Sequence, residues 1–327
     1  LGIAQVRALG AKLRARYGGP DGCVGPSFEP GRMTVRSTNI PRCVASAQGV
    51  LDGLFPSTTE PIPLRISNTN ETEYLTPNKN FCAVVGELFA AGRASWRASP
   101  DAEVAEAKVQ LRALGRIPED IMVKIESASE FIAFRDVLIA LNAHGQDLWG
   151  VGTVPGLLKR VDRAGTLEVE RLMKGGSADS AAAMNSAGLG FWLGELSDRW
   201  TARSHSTSTD VTTLSLVSAH DTTLIPILIA LGVMESGVWP DYASSIIFEL
   251  YSRGEDGTQG LDSQVRVIYN DEVITHKIPG AGGSEYVPVR KLQELIDTFR
   301  PRDLAEVCMT SQEKGRGAAN EGGKDTF

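Results

Sequence analysis

Two short apolar segments near opposite ends of the chain, each followed closely by a helix-forming segment, most limit what this sequence can fold into. Residues 33–36 read as a strand ahead of a helix over 41–55, and residues 213–218 read as a strand ahead of an apolar helix over 224–231. Most of the chain between them has apolar side chains at helical spacing. Strand–helix units at both ends predict an α/β core with a helical insertion.

The predicted boundaries follow changes in composition along the chain. After Pro56 the sequence becomes rich in Pro, Thr, Ser and Asn, which marks an exit from the first part of the core. The predicted units are the first core part (1–60), a mainly helical cap (61–205), the second core part (206–310) and a disordered tail (311–327). Further strands are predicted over 245–251 and 264–269, and a last helix over 289–299. The expected fold class is therefore α/β, with a three-layer core of a central mixed sheet flanked by helices, plus the inserted cap.

Composition excludes several classes of function. The formal net charge of −7 over 327 residues argues against a general nucleic-acid binder, which would normally carry a basic stripe. No run of about 18 apolar residues predicts a transmembrane helix, and no signal peptide is visible at the start of the chain. The four cysteines contain no CxxC pair and the four histidines no HExxH motif, so we expect no metal and no cofactor.

The first candidate site residue is Arg36, at the end of the first predicted strand. Ser37 and Thr38 follow as the expected N-cap of the next helix. A guanidinium at a helix N-terminus can bind two oxygens of a phosphate or carboxylate while the helix dipole adds to the attraction. The alternative that remains open is an ordinary surface arginine beside a polar loop.

The second candidate site is the pair His220 and Asp221, directly after the strand over 213–218. A histidine beside a carboxyl group at a strand end supplies a hydrogen-bond donor and a proton donor side by side. The alternative is a His-Asp turn in which a threonine caps the following helix. Sequence spacing alone does not bring His220 to Arg36.

Three segments together resemble the histidine acid phosphatase family (histidine phosphatase superfamily, branch 2). They are VRSTNIPR at 35–42, SAHDTT at 218–223 and WPDYASSIIFELY at 239–251, and the helix-forming segment over 2–17 is also similar to the family's first helix. The resemblance implies a phosphoglycerate mutase-like fold and hydrolysis of phosphate monoesters through a phosphohistidine intermediate. It implies that Arg36 and His220 bind the phosphate and that Asp221 is the general acid, with no metal.

The sequence departs from this family in one important respect. The family's nucleophilic histidine lies in an RHGxRxP motif upstream of the first helix, and these 327 residues contain no RHG. His144 stands in the one HG pair of the sequence but lacks the flanking arginines, His205 lies in a Ser/Thr-rich loop, and His276 follows a strand-like run, so all three are expected to be non-catalytic. We therefore expect a chain truncated upstream, inactive by itself and with an incomplete sheet. The alternative is a phosphate-binding pseudoenzyme that has lost its nucleophile.

The resemblance also bears on cysteine pairing, compartment and substrate. Cys82 and Cys308 stand where the family has cysteines that look paired, and a bridge would indicate an oxidising, secretory or lysosomal-type compartment. Two buried free thiols are the alternative, and family likeness also allows a mitochondrial location. The expected partners are small phosphomonoesters or lysophospholipids such as lysophosphatidic acid, with a phytase-like member of the same family as a further alternative.

Two other enzyme classes lack their motifs. A serine hydrolase would need GxSxG, and the sequence GGSAD at 175–179 has Asp179 where the motif requires its last glycine. A dinucleotide-binding enzyme would need GxGxxG, and Gly188 and Gly190 have no third glycine at the required spacing.

Overall fold

The computed structural model describes residues 1–19, 22–99, 101–205, 212–251 and 263–310, and it has an α/β fold. The α-helices of the described residues are α1 (Gly2–Tyr17), α2 (Pro41–Leu54), α3 (Val84–Ala98), α4 (Ala102–Leu114), α5 (Glu119–Ala128), α6 (Ile132–Ala143), α7 (Leu157–Met173), α8 (Ala178–Asn185), α9 (Phe191–His205), α10 (Asp221–Ala230), α11 (Val289–Asp297) and α12 (Leu304–Cys308). The strands are β1 (Met33–Ser37), β2 (Arg65–Ile66), β3 (Leu214–Ser218), β4 (Ile246–Tyr251), β5 (Gln264–Tyr269), β6 (Glu272–Val273) and β7 (Val287–Pro288).

The strands form two sheets within the described ranges. The first is parallel, in the order β2-β1-β3, and its central pairing aligns Ser37 with Ser218. The second is antiparallel, with β5 between β4 and the short strands β6 and β7. The expected α/β class is confirmed. Among the described strands, the parallel and the antiparallel pairings lie in two separate sheets and not in one mixed sheet. The parallel pairing places the carboxyl ends of β1 and β3 side by side, where ligands bind in open α/β sheets.

Helices α1 and α2 cover one face of the parallel sheet. Alternate residues of β1 are buried toward them, including Val35, which is 2% exposed. The two helices approach closely because small residues lie at the crossing: a Cβ on Gly10 would overlap the carbonyl oxygen of Val50, and a Cβ on Gly53 would overlap that of Arg7. This close packing fixes β1 and its following loop against α2.

The helices α4 to α7 and the C-terminal end of α3 share a separate apolar core. Its buried side chains include Leu111, Ile125, Phe131 and Leu157, each fully buried. The carboxylate of Glu168, itself 1% exposed, accepts hydrogen bonds from the backbone N–H groups of Phe131 (2.6 Å) and Ile132 (2.9 Å) at the start of α6. Burial raises the pKa of this carboxyl group, and the two backbone donors act in the opposite direction.

The C-terminal part of the chain differs from the prediction in two details. The helix expected over 289–299 ends at Asp297, and a further short helix, α12, follows after Pro301. Asp303 caps α12 by accepting hydrogen bonds from Ala305 N and Glu306 N. The predicted tail over 311–327 lies outside the described residues. No helix within the described ranges has the length and hydropathy needed to cross a membrane.

Candidate phosphate-binding site

Arg36 lies at the carboxyl end of β1 with its side chain on the face opposite to α2. The alternation of β1 buries its neighbours Val35 and Ser37 and leaves the Arg36 side chain 18% exposed. Its guanidinium carbon lies 4.1 Å from the centroid of the Tyr74 ring, which is cation–π geometry. The β1 strand and Tyr74 together hold this cation at the edge of the sheet.

Two carboxylates flank Arg36. Glu73 Oε1 lies 3.9 Å from Nη2 of Arg36, and Glu195 Oε2 lies 3.6 Å from Nη1. The hydroxyl of Tyr74 donates a hydrogen bond of 2.7 Å to the other oxygen of Glu195. None of these three partners was recognised from the sequence, because they come from segments that only the tertiary fold brings to β1.

A π-helical turn between α8 and α9 sets the orientation of the residues from α9. This turn spans Ser186–Gly190, directly ahead of Phe191 and Glu195. Phe191 and Glu195 are four residues apart and therefore project from the same side of α9. The Phe191 ring packs edge to face on Tyr74 at 4.6 Å, and Phe81 contacts both rings. The result is an aromatic cluster of Tyr74, Phe81 and Phe191 beside Arg36.

His220 follows β3 and is the residue that precedes α10. One of its ring nitrogens, Nε2, lies 3.0 Å from Oγ1 of Thr38, so a hydrogen bond joins the loops that leave β1 and β3. Cys43 Sγ, which is buried, lies 3.5 Å from the other ring nitrogen. Burial lowers the pKa of His220, and the positive charge of Arg42 lowers it further. Both effects favour the neutral form of the imidazole.

The prediction that Ser37 and Thr38 cap α2 was wrong. The helix begins later, with Ile40 at the N-cap and Pro41 at the first helical position, and no side chain caps it. The Ser37 hydroxyl bonds to the carbonyl of Thr38, and the Thr38 hydroxyl contacts His220. The Thr38 side chain therefore contacts a candidate site residue and does not cap α2, which begins at Pro41.

Asp221 is the first residue of α10, and both of its carboxylate oxygens accept hydrogen bonds. Oδ1 accepts from the backbone N–H of Thr222 (2.7 Å), and Oδ2 accepts from the indole N–H of Trp239 (2.8 Å). The guanidinium of Arg135, from α6, lies 4.0 Å from the centroid of the Trp239 ring and is held by Asp162 at 2.7 Å. A residue of the helical insertion thus supports the indole that orients Asp221.

The loop that carries Glu73 and Tyr74 is anchored to the first turn of α10. The Thr223 hydroxyl donates to the carbonyl of Leu75 (2.6 Å), and the hydroxyls of Thr76 and Thr222 lie 3.2 Å apart. These bonds fix the Arg36 partners in relation to Asp221, so one connected network spans both strand ends.

The structure brings Arg36, His220 and Asp221 to one edge of the parallel sheet, and their chemical roles stay predictions. His144 and His276 are exposed, at the end of α6 and in a turn after β6. His205 is the last residue of α9, and its side chain lies outside the described part of the structure. No group of three or more metal-binding side chains occurs among the described residues.

Cys82 and Cys308 form a disulfide in the structure, with Cα atoms 4.8 Å apart, while Cys23 and Cys43 are free. The bridge ties the segment before α3 to α12, and it packs with Val85 and Met184. It therefore joins the start of the helical insertion to the C-terminal segment.

Known proteins resemble this chain in sequence and in fold. The family model of the histidine phosphatase superfamily (branch 2) matches residues 168–270. Testicular acid phosphatase of Mus musculus is 27% identical over 329 residues, covering 95% of this chain and 73% of that protein. Lysophosphatidic acid phosphatase type 6 of Pongo abelii is 28% identical over 261 residues, covering 78% of this chain and 56% of that protein. The chain thus spans little more than half of the latter relative.

A solved structure supports the same fold. The apo form of Hafnia alvei phytase aligns with a TM-score of 0.63 and 11% identity, covering 94% of this chain and 88% of the phytase chain. At this identity the likeness concerns the fold alone. The family-model match and the named relatives support the resemblance to the histidine phosphatase superfamily, branch 2, that the sequence motifs implied, and the fold agrees with it. The acid phosphatases among its relatives support phosphatase activity in general.

Proposed function

We propose that this chain carries the phosphate-binding and general-acid groups of an acid phosphatase that hydrolyses phosphate monoesters through a phosphohistidine intermediate. The observation that carries the proposal is the 3.0 Å contact between Thr38 and His220, which joins the loop after Arg36 to the loop before Asp221. A phosphate group at this edge would meet a cation, a neutral imidazole and a carboxyl group within one network.

Each residue has a distinct task in the proposed reaction. The guanidinium of Arg36 binds non-bridging oxygens and offsets the charge that develops on them. A neutral imidazole with one N–H lets His220 donate a hydrogen bond to the same phosphate. Asp221 gives its proton to the leaving alkoxide as the P–O bond breaks, and then takes a proton from the water that hydrolyses the phosphohistidine.

The nucleophilic histidine is proposed to come from a strand outside these 327 residues. Along β3, hydrogen bonds to β1 occupy one edge, and no other described strand pairs with its second edge. The same holds for β4, which pairs only with β5 in the described ranges. Apolar residues of both strands, such as Leu216 and Phe248, are only partly buried. Unpaired edges of this kind are sites where a further strand can add.

The aromatic cluster favours a substrate with an apolar part. Phe191 is 37% exposed, and its ring, together with Tyr74 and Phe81, lies beside the Arg36 guanidinium. Such a wall is suited to the hydrocarbon of a lysophospholipid more than to a highly charged inositol phosphate. We therefore place lysophosphatidic acid, the substrate in the name of one relative, ahead of phytate.

Phosphate binding tests the site without requiring turnover. We expect titration calorimetry with inorganic phosphate at pH 5.5 to detect binding, and Arg36→Ala to weaken it by about tenfold or more, since a charged hydrogen-bond partner is lost. His220→Ala should weaken it by a smaller factor. Arg7→Ala is the matched control, because Arg7 is exposed and pairs with Asp52 on the far side of α2. Equal affinity in the Arg36 and Arg7 variants would refute the site.

Hydrolysis tests the missing nucleophile. We expect the 327-residue chain to show essentially no hydrolysis of p-nitrophenyl phosphate or lysophosphatidic acid, and a chain extended upstream to include RHGxRxP to hydrolyse both. Equal activity of the two chains would overturn the proposal for the nucleophile. A phosphate-binding protein without turnover in either form would instead be a pseudoenzyme.

A further inference from the structure

Arg135 of α6 is a buried charge where the helical insertion meets the core. Its side chain is 9% exposed, and it binds Asp162 at 2.7 Å and Asp136 at 3.1 Å. Its stem lies directly on Gly165 of α7, where an added Cβ would be 3.1 Å from the Cβ of Arg135. A buried cation is costly unless it is paired. The two carboxylates supply the pairing and the glycine leaves room for the stem, so α6 and α7 together fix the guanidinium.

Trp239 is held by both of these helices. The guanidinium carbon of Arg135 lies 4.0 Å from the centroid of the indole ring, which is cation–π geometry. Two residues before the indole, the backbone N–H of Gly237 donates to Glu170 of α7 at 2.7 Å, and the hydroxyl of Ser236 donates to the other oxygen at 3.0 Å. Glu170 is 4% exposed. The insertion therefore fixes both the indole and the backbone that leads to it.

The indole N–H is bonded to the carboxyl group of Asp221. It donates to Oδ2, while the backbone N–H of Thr222 donates to Oδ1. A carboxyl group that carries its proton has one full acceptor oxygen, and it has two once the proton has left. Hydrogen bonds to an ionised acceptor are also stronger than those to a neutral one. Both N–H groups therefore bond best to Asp221 when it has given its proton away.

We propose that Arg135 is a positioning residue for the general acid, because it holds the Trp239 indole in place to bond with Asp221 while the proton passes to the leaving group. The inference rests on the proposed function, in which Asp221 is the acid. A P–N bond to the nucleophilic histidine forms, the P–O bond to the alcohol breaks, and the leaving oxygen takes the proton of Asp221. Arg135 acts on this step through the indole and is not itself a catalytic residue.

Substrates with different leaving groups distinguish positioning of the acid from general damage to the fold. p-Nitrophenolate departs readily without a proton, whereas the alkoxide of lysophosphatidic acid needs one. In the chain extended upstream to include RHGxRxP, kcat/KM covers the steps up to departure of the alcohol. We expect Arg135→Met to lower kcat/KM about tenfold for lysophosphatidic acid and less than about twofold for p-nitrophenyl phosphate. Arg135→Lys keeps a cation and should restore most of the loss.

A combined variant tests whether Arg135 acts through the indole. We expect Trp239→Phe to lower kcat/KM for lysophosphatidic acid about tenfold, since a hydrogen bond to a charged group is lost. Adding Arg135→Met to Trp239→Phe should cause no further loss, because no indole N–H is left to orient. Arg160→Met is the matched control: Arg160 is an arginine of α7 that pairs with Glu106 at 3.2 Å, and its loss should affect neither substrate. Losses that multiply in the combined variant would overturn the inference.

Hydrogen exchange tests the same positioning on the 327-residue chain, without turnover. We expect the Trp239 indole N–H to exchange with solvent at least about tenfold faster in Arg135→Met than in the unaltered chain, because the bonded orientation opens more often. Arg135→Lys and Arg160→Met should exchange at nearly the original rate. An unchanged rate in Arg135→Met would overturn the positioning role.

The outcomes separate this inference from the proposed function. If Asp221→Asn lowers hydrolysis of both substrates equally, Asp221 is not the acid and the proposed function is wrong. If Asp221→Asn affects lysophosphatidic acid more strongly, but Arg135→Met lowers both substrates equally or neither, only the positioning role is overturned. An extended chain without turnover would refute the proposed nucleophile, and the exchange rate of the indole N–H would then decide whether Arg135 positions Trp239.

Discussion

The indole N–H of Trp239 donates a 2.8 Å hydrogen bond to Oδ2 of Asp221, the proposed general acid. Trp239 is 6% exposed, and its ring lies under the guanidinium of Arg135 from the helical insertion. The orientation of Asp221 thus depends, through Trp239, on Arg135, which lies 104 positions before Trp239 in the chain. Motion of α6 against the core would be transmitted to Asp221 through this indole.

The Trp239→Phe variant removes the N–H donor and keeps an aromatic ring for Arg135. We expect it to lower the free energy of unfolding by about 1.5 kcal/mol, because a hydrogen bond to a charged group is lost while Thr222 N still bonds to Asp221. Urea denaturation measures this loss. In ¹⁵N–¹H spectra, Asp221→Asn should move the indole signal that Trp239→Phe deletes. If that signal keeps its position, the hydrogen bond is absent in solution.

Glu249 on β4 is expected to make folding stability depend on acid pH. Although burial alone would raise its pKa, hydrogen bonds from Arg266, Tyr17, Arg16 and Tyr251 outweigh that effect and lower it to about 2. A pKa below the unfolded value contributes stability above pH 4.5, and this contribution is lost as pH falls toward 2. We expect Glu249→Gln to reduce the free energy of unfolding at pH 7 by about 3 kcal/mol.

Urea denaturation at pH 7, 5 and 3 checks this dependence. The difference between the unaltered chain and Glu249→Gln should shrink as the pH is lowered, since protonation removes the same charge. The control is Glu272→Gln, whose exposed ion pair with Lys277 should contribute less than about 0.5 kcal/mol. A constant difference between pH 7 and 3 would contradict the assigned role of the Glu249 charge.

The Cys82–Cys308 disulfide is expected to contribute strongly to stability. It joins residues 226 positions apart, and cross-linking a loop of that length restricts the unfolded chain. We expect the double variant Cys82→Ala/Cys308→Ala to lose about 4 kcal/mol of unfolding free energy. Thiol titration of denatured, unreduced protein should find only Cys23 and Cys43 reactive. Four reactive thiols before reduction would rule out the bridge.

Gly10 is expected to be intolerant of any side chain. A methyl group there would overlap the carbonyl of Val50, so α1 would have to move away from α2. We expect Gly10→Ala to cost about 3 kcal/mol of unfolding free energy, at the upper end of overpacking effects. Gly2→Ala places the same methyl group in open space on the same helix and should cost nothing measurable. Similar melting curves for the two variants would contradict the close packing of α1 on α2.

The elements around the site were predictable because local signals define them. The strand-to-helix transitions at 33–55 and 213–231, and the strand over 264–269, follow from apolar spacing and from proline and glycine positions. The structure agrees to within one residue at these boundaries, except that α10 begins at Asp221, three residues before the predicted start. The N-cap of α2 was mispredicted because Thr38 has a tertiary partner, His220, that competes for its hydroxyl. The arrangement of the strands in two sheets depends on long-range pairing, which periodicity does not encode.

The candidate site was predictable only in part for the same reason. Arg36, His220 and Asp221 stand in motifs that the sequence displays directly. Glu73 and Trp239 stand in segments without any catalytic pattern, and their contacts to Arg36 and Asp221 exist only after the loop before α3 and the loop before β4 pack on the strand ends. A burial prediction for Glu73 would have been the one available signal, since buried carboxylates need partners.

The parallel pairing of β1 with β3 also sets the order of events during synthesis. Thr38 and His220 are 182 positions apart, so the site is assembled only after most of the chain has left the ribosome. The helices between them have local contacts and their own apolar core, which can form earlier. Until β3 emerges, the edge of β1 that pairs with it is unpaired, and unpaired strand edges of this kind promote aggregation of partly folded chains.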